Sequence, residues 1–353
     1  MLSLDLITRR ALATQWAILC AAWLLIAAGV AYSLWEDRRQ ISVTEGDRLR
    51  AQSQVMANTL ERELAAIGRA LDDVRDDMSA WQKSPEYGAM ATRRLNSLSR
   101  AMPSVRTIAV MDELGNVLVA NRPELVGSNF AQRDYFRAVQ RNPRAQTLFV
   151  SEPFTTALGA QVITVSRMTA GAEGRFGGLV TATLDPVALS FMLESVRYAD
   201  DMSAGIVHGS GKLFLYSPPA PDQFGQDLNQ PGSIFSRHAQ SGAQVSTLIG
   251  SSHLLKDARL AVVRTVNPSA LRLDQPLVVA VTRSLASLLT AWRRDVLEHA
   301  LMFSAFVVLT GVGLALLQRR QRRHVRQWRA IEADKHKAVQ RLAKSLQAER
   351  LHV

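Results

Sequence analysis

The apolar positions divide the chain into two uncharged runs with a long mixed segment between them. The runs extend from Ala11 to Trp35 and from Ala300 to Leu317. Each is close to the ~20 helical residues that cross a ~30 Å hydrocarbon core. We therefore predict transmembrane helices at 11–35 and 298–317 and a folded domain at 36–297.

Basic residues flank both runs on the sides that face away from the middle segment. Arg9 and Arg10 precede the first run, and a cluster of arginines follows the second. Because positively charged flanks stay in the cytoplasm, we predict that residues 1–10 and 318–353 are cytoplasmic and that the domain faces the periplasm or the cell exterior. The chain is then expected to be a two-pass protein of the inner (plasma) membrane.

A cleaved signal peptide is the alternative for the first run. Gly29 and Ala31 are small residues of the kind found at cleavage sites. The uncharged stretch is longer than the ~7–15 apolar residues of a signal core, which favours a membrane-spanning helix.

A stripe of apolar residues follows the first run. Its spacing of three and four residues predicts one face of a long helix, and Pro85 ends the pattern. From Leu60 onward the spacing also fits the seven-residue repeat of a coiled coil. The stripe therefore either pairs two protomers or packs on its own domain. Its members are Met56, Leu60, Leu64, Ile67, Leu71, Val74, Met78 and Trp81.

Beyond the stripe the apolar period changes to two, which is typical of strands. Turns that contain polar residues and glycine separate three pairs of strands, so each pair is predicted to form a β-hairpin. The hairpins are 105–111 with 116–120, 161–168 with 177–184, and 204–208 with 212–217, and further strands are predicted at 259–266 and 277–282.

This strand pattern occurs twice along the chain. The segment that starts at Ile108 resembles the one that starts at Gly205, and each is followed by a glycine and then a phenylalanine. The spacing exceeds the ~20–50 residues of solenoid repeats, which favours duplication of a small α/β domain. We predict an α/β fold in which the long helix precedes two tandem PAS-like modules with antiparallel sheets. The repeated pairs are Gly127 with Phe136 and Gly225 with Phe235, the modules lie at about 84–185 (distal) and 199–284 (proximal), and a helix at 186–198 joins them.

Composition and charge agree with a folded domain at a membrane. Hydrophobic residues make up 47% of the chain, and the formal net charge is +11. Many basic residues flank the predicted spans, where they would contact anionic lipid, so we expect a lipid bilayer and no nucleic acid as partner. Cys20 is the single cysteine and lies in the first span, which excludes a disulfide or a thiolate metal site from the domain.

No enzyme signature emerges from the sequence. The seven histidines show neither HxxxH nor HExxH spacing, so we predict no metal and no cofactor. Ser210 lies in a predicted hairpin turn and not in a nucleophile loop. The glycine-rich stretch 171–178 lacks the lysine and the serine or threonine of a phosphate-binding loop. The chain is therefore predicted not to be an enzyme.

The final segment, 318–353, contains no proline or glycine and is predicted to be one helix. Val325, Trp328 and Leu342 share a seven-residue register, but Glu332 and Lys335 occupy other core positions of it. The pattern fits either a signalling coiled coil in a homodimer or a solvated basic helix. The segment is shorter than a catalytic domain of ~100–200 residues, which leaves a separate cytoplasmic signalling partner as one candidate for the output.

Two strings of the sequence carry a resemblance to the double Cache sensor domains of bacterial receptors. They are Gly127-Ser-Asn-Phe-Ala-Gln-Arg-Asp-Tyr-Phe136 and Gly174-Arg-Phe-Gly-Gly-Leu-Val-Thr-Ala-Thr-Leu-Asp185. The long amphipathic helix after the first span and the second span after the last strand add to it. The resemblance covers about residues 36–297 and implies a pocket for a small-molecule ligand in the distal module, and usually none in the proximal one.

The resemblance also implies which residues bind that ligand. In the amino-acid-binding branch of the family, an arginine, two aromatic residues and an aspartate hold the carboxylate and the amine. These align with Arg133, Tyr135, Phe136 and Asp185, and a guanidinium offers the paired donors that suit a carboxylate. The branch has a tryptophan and a tyrosine where this chain has Tyr135 and Phe136, and another tyrosine where it has Ser128.

Each candidate also has a purely structural interpretation. Arg133 lies next to Asp134, with which it can form a surface ion pair. Asp185 precedes Pro186, which is the sequence of a helix N-cap followed by proline at the first helical position. The two aromatic residues after Asp134 can be a core pair on one helix face.

Together these features predict a homodimeric transmembrane sensor. It would bind a small extracellular ligand, a carboxylate or an amino acid, in the distal module and transmit the signal across the membrane. The alternatives are a membrane-anchored binding or scaffold subunit and a truncated receptor that acts through a separate cytoplasmic output partner. An exported enzyme tethered at both ends has no group of residues to support it.

Overall fold

The computed structural model describes residues 2–81, 86–156, 159–219, 223–252, 254–268 and 270–350. Pro85, where the helical stripe was expected to end, lies outside the described residues. The chain divides into two compact units, one made of residues 1–39 with 290–353 and the other of residues 40–289.

The described residues contain long helices at both ends and short elements between them. The helices are α1 (Leu2–Trp81), α2 (Tyr87–Ala101), α3 (Asp134–Arg141), α4 (Pro186–Ser195), α5 (Ile234–Ser241), α6 (Leu285–Leu288) and α7 (Thr290–Arg350). The strands are β1 (Val105–Met111), β2 (Val117–Ala120), β3 (Thr147–Val150), β4 (Phe154–Thr155), β5 (Gln161–Val162), β6 (Thr164–Ala170), β7 (Phe176–Leu184), β8 (Met202–His208), β9 (Leu213–Ser217), β10 (Val245–Ser251), β11 (Ala258–Val266), β12 (Arg272–Leu273) and β13 (Leu277–Ser284).

The apolar stripe of α1 packs on its own domain. Seven of its eight residues are buried, and Met78 is half-buried against the same core. The face that offers a seven-residue repeat is therefore covered by intramolecular contacts. This decides between the two interpretations of the stripe, because a buried face cannot pair with a second protomer.

Two antiparallel sheets form the body of the second unit. The first has the strand order β12-β3-β6-β7-β1-β2 and the second has the order β10-β11-β13-β8-β9. The three predicted hairpins are present as β1 with β2, β6 with β7, and β8 with β9. The predicted α/β fold with a long helix and antiparallel sheets is thus confirmed.

One strand departs from the division into two sequential modules. β12 lies in the second half of the chain but pairs in parallel with β3 of the first sheet, with Arg272 opposite Thr147. Asp274, which directly follows β12, accepts a hydrogen bond from the backbone N–H of Val150 at 2.7 Å. A strand of two residues has no readable period, so no pattern in the sequence indicated that β12 would join the first sheet.

The two faces of each sheet pack into different apolar clusters. One face of both sheets shares the large core that contains the stripe of α1, with Ile108, Val180, Ile206 and Val279 as strand members. The opposite face of the first sheet packs on α3 through a cluster that includes Phe136. The corresponding face of the second sheet forms a separate cluster that includes Phe235 of α5. The alternation of side chains along the strands produces this arrangement.

In the first unit, the beginning of α1 and part of α7 contact each other along antiparallel paths. The indole N–H groups of Trp16 and Trp23 donate to the side chains of Gln318 and Thr310, each at 3.1 Å. Farther along α1, the backbone oxygen of Leu34 accepts from the indole of Trp292 at 2.7 Å. Segments of these helices within 12–78 and 285–324 are long and apolar enough to cross a membrane.

Candidate functional site

A cavity of about 80 Å³ lies on the α3 side of the first sheet. Its floor is formed by alternate residues of the central strand pair, with Thr107 opposite Thr183 and Ala109 opposite Thr181. Residues from the loop before α3, from the beginning of α3 itself and from the segment at β4 complete the walls. Two predicted residues, Arg133 and Tyr135, line it.

Three arginines line this cavity, and none of its lining residues in the described part of the chain is acidic. Arg122 pairs with Glu124 at 3.2 Å. Neither Arg106 nor Arg133 has a carboxylate of a described residue within 4.0 Å. The cavity therefore holds excess positive charge in a half-buried setting, where a ligand carboxylate gains charge-assisted hydrogen bonds.

Arg133 immediately precedes α3 and is held in extended backbone geometry, with φ of −75° and ψ of 140°. Its guanidinium lies over the ring of Phe154, 5.8 Å from the ring centroid. The neighbouring Asp134 is exposed and makes no ion pair with it among the described contacts. Stacking on an aromatic ring orients the guanidinium without using its hydrogen-bond donors. The alternative interpretation of Arg133, a surface ion pair with Asp134, is therefore not supported, and the N–H groups of its guanidinium are available to a ligand.

Tyr135 also stacks on the ring of Phe154. The centroids of Tyr135 and Phe154 are 5.5 Å apart, and their planes make an angle of 26°. Burial raises the pKa of Tyr135 above its ordinary value, although the charge of Arg133 acts to lower it. The phenol therefore stays neutral and can donate or accept a hydrogen bond.

Threonines provide the remaining polar groups. The hydroxyl oxygens of Thr164 and Thr183 lie 3.4 Å apart, and the hydroxyl of Thr181 donates to the backbone oxygen of Val165 at 3.3 Å. Such hydroxyls accept or donate as needed. The cavity thus combines cationic groups, neutral hydroxyls and one aromatic wall.

Two of the predicted site residues do not line the cavity. Phe136 is 0% exposed and packs edge to face on Phe176, with centroids 5.4 Å apart. Consecutive helical residues point about 100° apart, so Phe136 enters the core when Tyr135 faces the cavity. Asp185 accepts a hydrogen bond from the backbone N–H of Val187 at 2.9 Å and caps α4.

Sequence reasoning missed Arg106 and Arg122. Arg106 lies within an apolar strand, next to a register shift between Val105 and Thr107 in the pairing of β1 with β7. Such a bulge re-aims a side chain relative to strict alternation. An arginine inside an apolar strand run was the available signal. No comparable signal distinguished Arg122, which follows the strand β2 in a loop.

No group of three or more His, Cys, Asp or Glu residues in the described part of the chain is arranged to hold a metal ion.

Comparison with known proteins identifies the family to which this fold belongs. A sequence profile of the Cache domain matches residues 38–292, so the chain belongs to the Cache domain family. It is a ligand-binding sensor of that type, and two apolar helices flank the sensor domain. No curated protein matched the sequence.

Three solved structures share this fold. The extracellular domain of rpHK1S-Z16, described as a histidine kinase, has a TM-score of 0.61 and 23% identity, over 71% of this chain and 98% of that one. The periplasmic sensory domain of the Campylobacter jejuni chemoreceptor Tlp1 has a TM-score of 0.57 and 11% identity, over 71% and 98%. The ligand-binding domain of the Pseudomonas aeruginosa PAO1 amino-acid chemoreceptor PctB, in complex with L-Arg, has a TM-score of 0.53 and 14% identity, over 69% and 97%.

Proposed function

We propose that the chain is a two-pass membrane receptor. Its first (distal) module, at about 84–185, binds a small organic carboxylate that carries no ammonium group. The observation that supports this is the lining of the cavity on the α3 side of the first sheet. Arg106, Arg122 and Arg133 line it, and no acidic residue of the described chain does. An ammonium group placed there would meet positive charge and no counter-ion.

The amino-acid hypothesis needs an acidic partner for the ligand amine. Asp185 was the candidate, but it is absent from the cavity lining, and its carboxylate caps α4. PctB is described as an amino-acid chemoreceptor, so amino acids are the second ligand class to be tested. The electrostatics of the cavity favour the simple carboxylate.

The membrane arrangement is part of the same proposal. Residues 36–297 form the periplasmic sensor domain, helices at 11–35 and 298–317 cross the membrane, and residues 1–10 and 318–353 are cytoplasmic. The basic flanks of both apolar runs support this orientation. Because the stripe of α1 is buried, the segment 318–353 is the remaining candidate for pairing two protomers, in a homodimer that acts on a cytoplasmic partner.

Isothermal titration of the full chain in detergent tests the ligand class. The probes are acetate, propionate, lactate, succinate and malate, with alanine and glutamine as the amino-acid arm. We expect saturable binding of at least one carboxylate and a loss of about tenfold to a hundredfold in affinity for Arg133→Ala. That range corresponds to the ~1.5–3 kcal/mol of a hydrogen bond to a charged group.

Arg137→Ala is the matched control. Arg137 lies one turn along α3 from Arg133 and does not line the cavity, so its removal deletes the same charge without a ligand contact. Equal loss in both variants would attribute the effect to general charge. Binding of amino acids alone, weakened by Asp185→Asn, would contradict the proposal and restore the amino-acid site.

A further inference from the structure

A second cavity, also of about 80 Å³, lies in the second module on the α5 side of its sheet. It belongs to residues 203–282 and shares no lining residue with the first cavity. The site described above therefore does not account for it.

The two cavities occupy equivalent positions of the duplicated fold. In the first sheet the floor is made by Thr107 opposite Thr183 and by the next pair on the same face. In the second sheet Ser203 lies opposite Thr282 and Gly205 opposite Ala280, and all four residues line the second cavity. The register of the central strand pair is thus repeated, and with it the place at which the sheet face is left uncovered.

The covering helix is repeated as well. α3 carries Phe136 into the cluster on one sheet, and α5 carries Phe235 into the cluster on the other. In the first module the loop before the helix contributes Arg133, whereas in the second it contributes Ser233, whose hydroxyl accepts from the backbone N–H of Ser236 at 2.9 Å. The arginine that lines the first cavity at this position therefore has no counterpart in the second.

Among the described residues that line it, the second cavity offers no free charge. The single arginine among them, Arg259, is 4% exposed, and its guanidinium is bound by the protein itself. Nε donates to the hydroxyl of Thr282 at 2.7 Å, Nη1 pairs with Asp257 at 2.9 Å, and Nη2 donates to the backbone oxygen of Asp201 at 2.5 Å. A ligand carboxylate would have to displace these partners, so an anion is disfavoured.

The other walls are mainly apolar, with a small polar end. Leu213, Val263 and Val278 are among the apolar lining residues. At the polar end the hydroxyl groups of Ser203 and Thr282 lie 2.7 Å apart, and Tyr216 lines the same cavity. Burial raises the pKa of Tyr216, so its phenol stays a neutral hydrogen-bonding group.

We propose that this cavity is a second ligand site, which takes a small uncharged and predominantly apolar molecule with one hydroxyl or carbonyl group. The apolar body packs between the sheet and α5, and the polar group meets the hydroxyls of Ser203, Tyr216 and Thr282. Sites of this kind combine apolar walls with a few polar groups that fix orientation. The chain then has two sites of opposite preference, one for an anion and one for a neutral molecule.

The test uses the full chain in detergent with 4-fluorophenol as the probe and 4-fluorobenzoate as its charged counterpart. Binding is followed by the fluorine NMR signal of the probe. Partition into detergent is the same for every variant, so the differences between variants report the protein site. We expect a saturable component for the phenol, and at least tenfold weaker binding of it when the cavity is filled by Ala280→Leu.

A second variant keeps the test valid if Ala280→Leu does not fold. Ser251 is exposed and lines the cavity at the end of β10, so Ser251→Trp obstructs the cavity from its solvent side without entering the core. Ile249→Trp is the matched control, because Ile249 lies two residues away on the same strand, is 51% exposed and does not line the cavity. We expect Ser251→Trp to weaken phenol binding at least tenfold and Ile249→Trp to leave it unchanged.

The proposal is overturned if the parent shows no saturable phenol binding, or if a folded Ser251→Trp or Ala280→Leu variant binds as tightly as the parent. It is also overturned if 4-fluorobenzoate competes for this cavity as strongly as the phenol, since the lining would then accept anions. If Ala280→Leu does not fold, Ser251→Trp alone tests the proposal, because its substituted position is on the surface.

Discussion

The guanidinium of Arg283 forms an ion pair with the carboxylate of Glu45 at 2.7 Å, and this pair connects the end of β13 to α1. Glu45 is 5% exposed and also accepts a hydrogen bond from the hydroxyl of Tyr198, while Arg283 pairs with Asp201 at 2.9 Å. Burial acts to lower the pKa of Arg283, but hydrogen bonds to Asp201 and Glu45 raise it above its ordinary value. The charge is therefore well compensated in a largely buried place. Glu45 lies in α1, which contains the first apolar run, and Arg283 lies in β13, which precedes α6 and α7 along the chain.

Arg283→Met tests the contribution of this pair. Removal of one partner of a buried ion pair leaves an uncompensated charge and costs about 3–5 kcal/mol, so we expect a large drop in the free energy of unfolding of the full chain. Arg48→Met is the control, because Arg48 contacts the same carboxylate at 3.6 Å but its side chain is 63% exposed. Exposed pairs contribute little. If Arg283→Met lowers the free energy of unfolding as little as Arg48→Met does, the buried pair does not stabilise the domain.

The stability of the domain is expected to fall in mildly acidic solution because of His208. Its imidazole is buried, with Nδ1 accepting from the backbone N–H of Ser210 at 3.2 Å and Nε2 3.2 Å from the backbone oxygen of Val150. Burial lowers the pKa of His208, against smaller opposing effects of the Val150 carbonyl, Glu152 and Asp274. The unfolded chain therefore takes up a proton below about pH 6.5 before the folded chain does. Stability is complete above that pH and is lost as the pH falls.

Melting temperatures between about pH 7.5 and 5 check this sign. His208→Gln should weaken the pH dependence without removing it, because burial also lowers the pKa of His238. Burial raises the pKa of Asp274, which acts with the opposite sign at lower pH, nearer its ordinary range. A profile of His208→Gln that equals the parent's would exclude His208 as a cause.

The fold was predictable where one pattern extended over many residues. The stripe from Met56 to Trp81 and the strand β1 were predicted from their periods, and the repeat that starts at Gly205 predicted the second sheet. Short elements were not predictable, since β12 has two residues and its pairing with β3 is decided by tertiary contacts. The sequence also left the partner of the α1 stripe open, because a stripe specifies that a face is buried and not what buries it.

The site was predictable only in part, for a related reason. Arg133 was found because its string resembles a family motif, and Tyr135 because it lies beside it. Phe136 fits the same motif but points into the core, since its helical position is turned away from that of Tyr135. Arg106 reaches the cavity through a register shift that no sequence period reveals.

The orientation in the membrane can be measured with reporter fusions. A reporter fused after Val353 should be active only in the cytoplasm, and one inserted near Pro219 only outside it, because the arginines that flank the apolar runs favour the cytoplasmic side. Replacement of Arg319, Arg320, Arg322 and Arg323 by glutamine should weaken this preference. The reverse pattern in the parent would contradict the charge argument. Cleavage after the first run would appear as a shortened chain.

Asp185 separates a structural role from a ligand role. As an N-cap its carboxylate accepts from the backbone N–H of Val187, and asparagine serves this role about as well as aspartate does. We therefore expect Asp185→Asn to keep the melting temperature and Asp185→Ala to lose about 1 kcal/mol of stability. Ser233→Ala is a reference for the size of such a loss, because the hydroxyl of Ser233 caps α5 in the same way.

Affinity for the carboxylate ligand decides between the two roles. If Asp185 acts only as a cap, Asp185→Asn and Asp185→Ala should bind the ligand as tightly as the parent does, since the side chain of Asp185 is absent from the cavity lining. If it contacts a ligand amine, Asp185→Asn should lose about tenfold to a hundredfold in affinity for an amino acid, with its stability intact. That second result would require the ligand to extend beyond the cavity toward the start of α4. It would return the amino-acid class to first place.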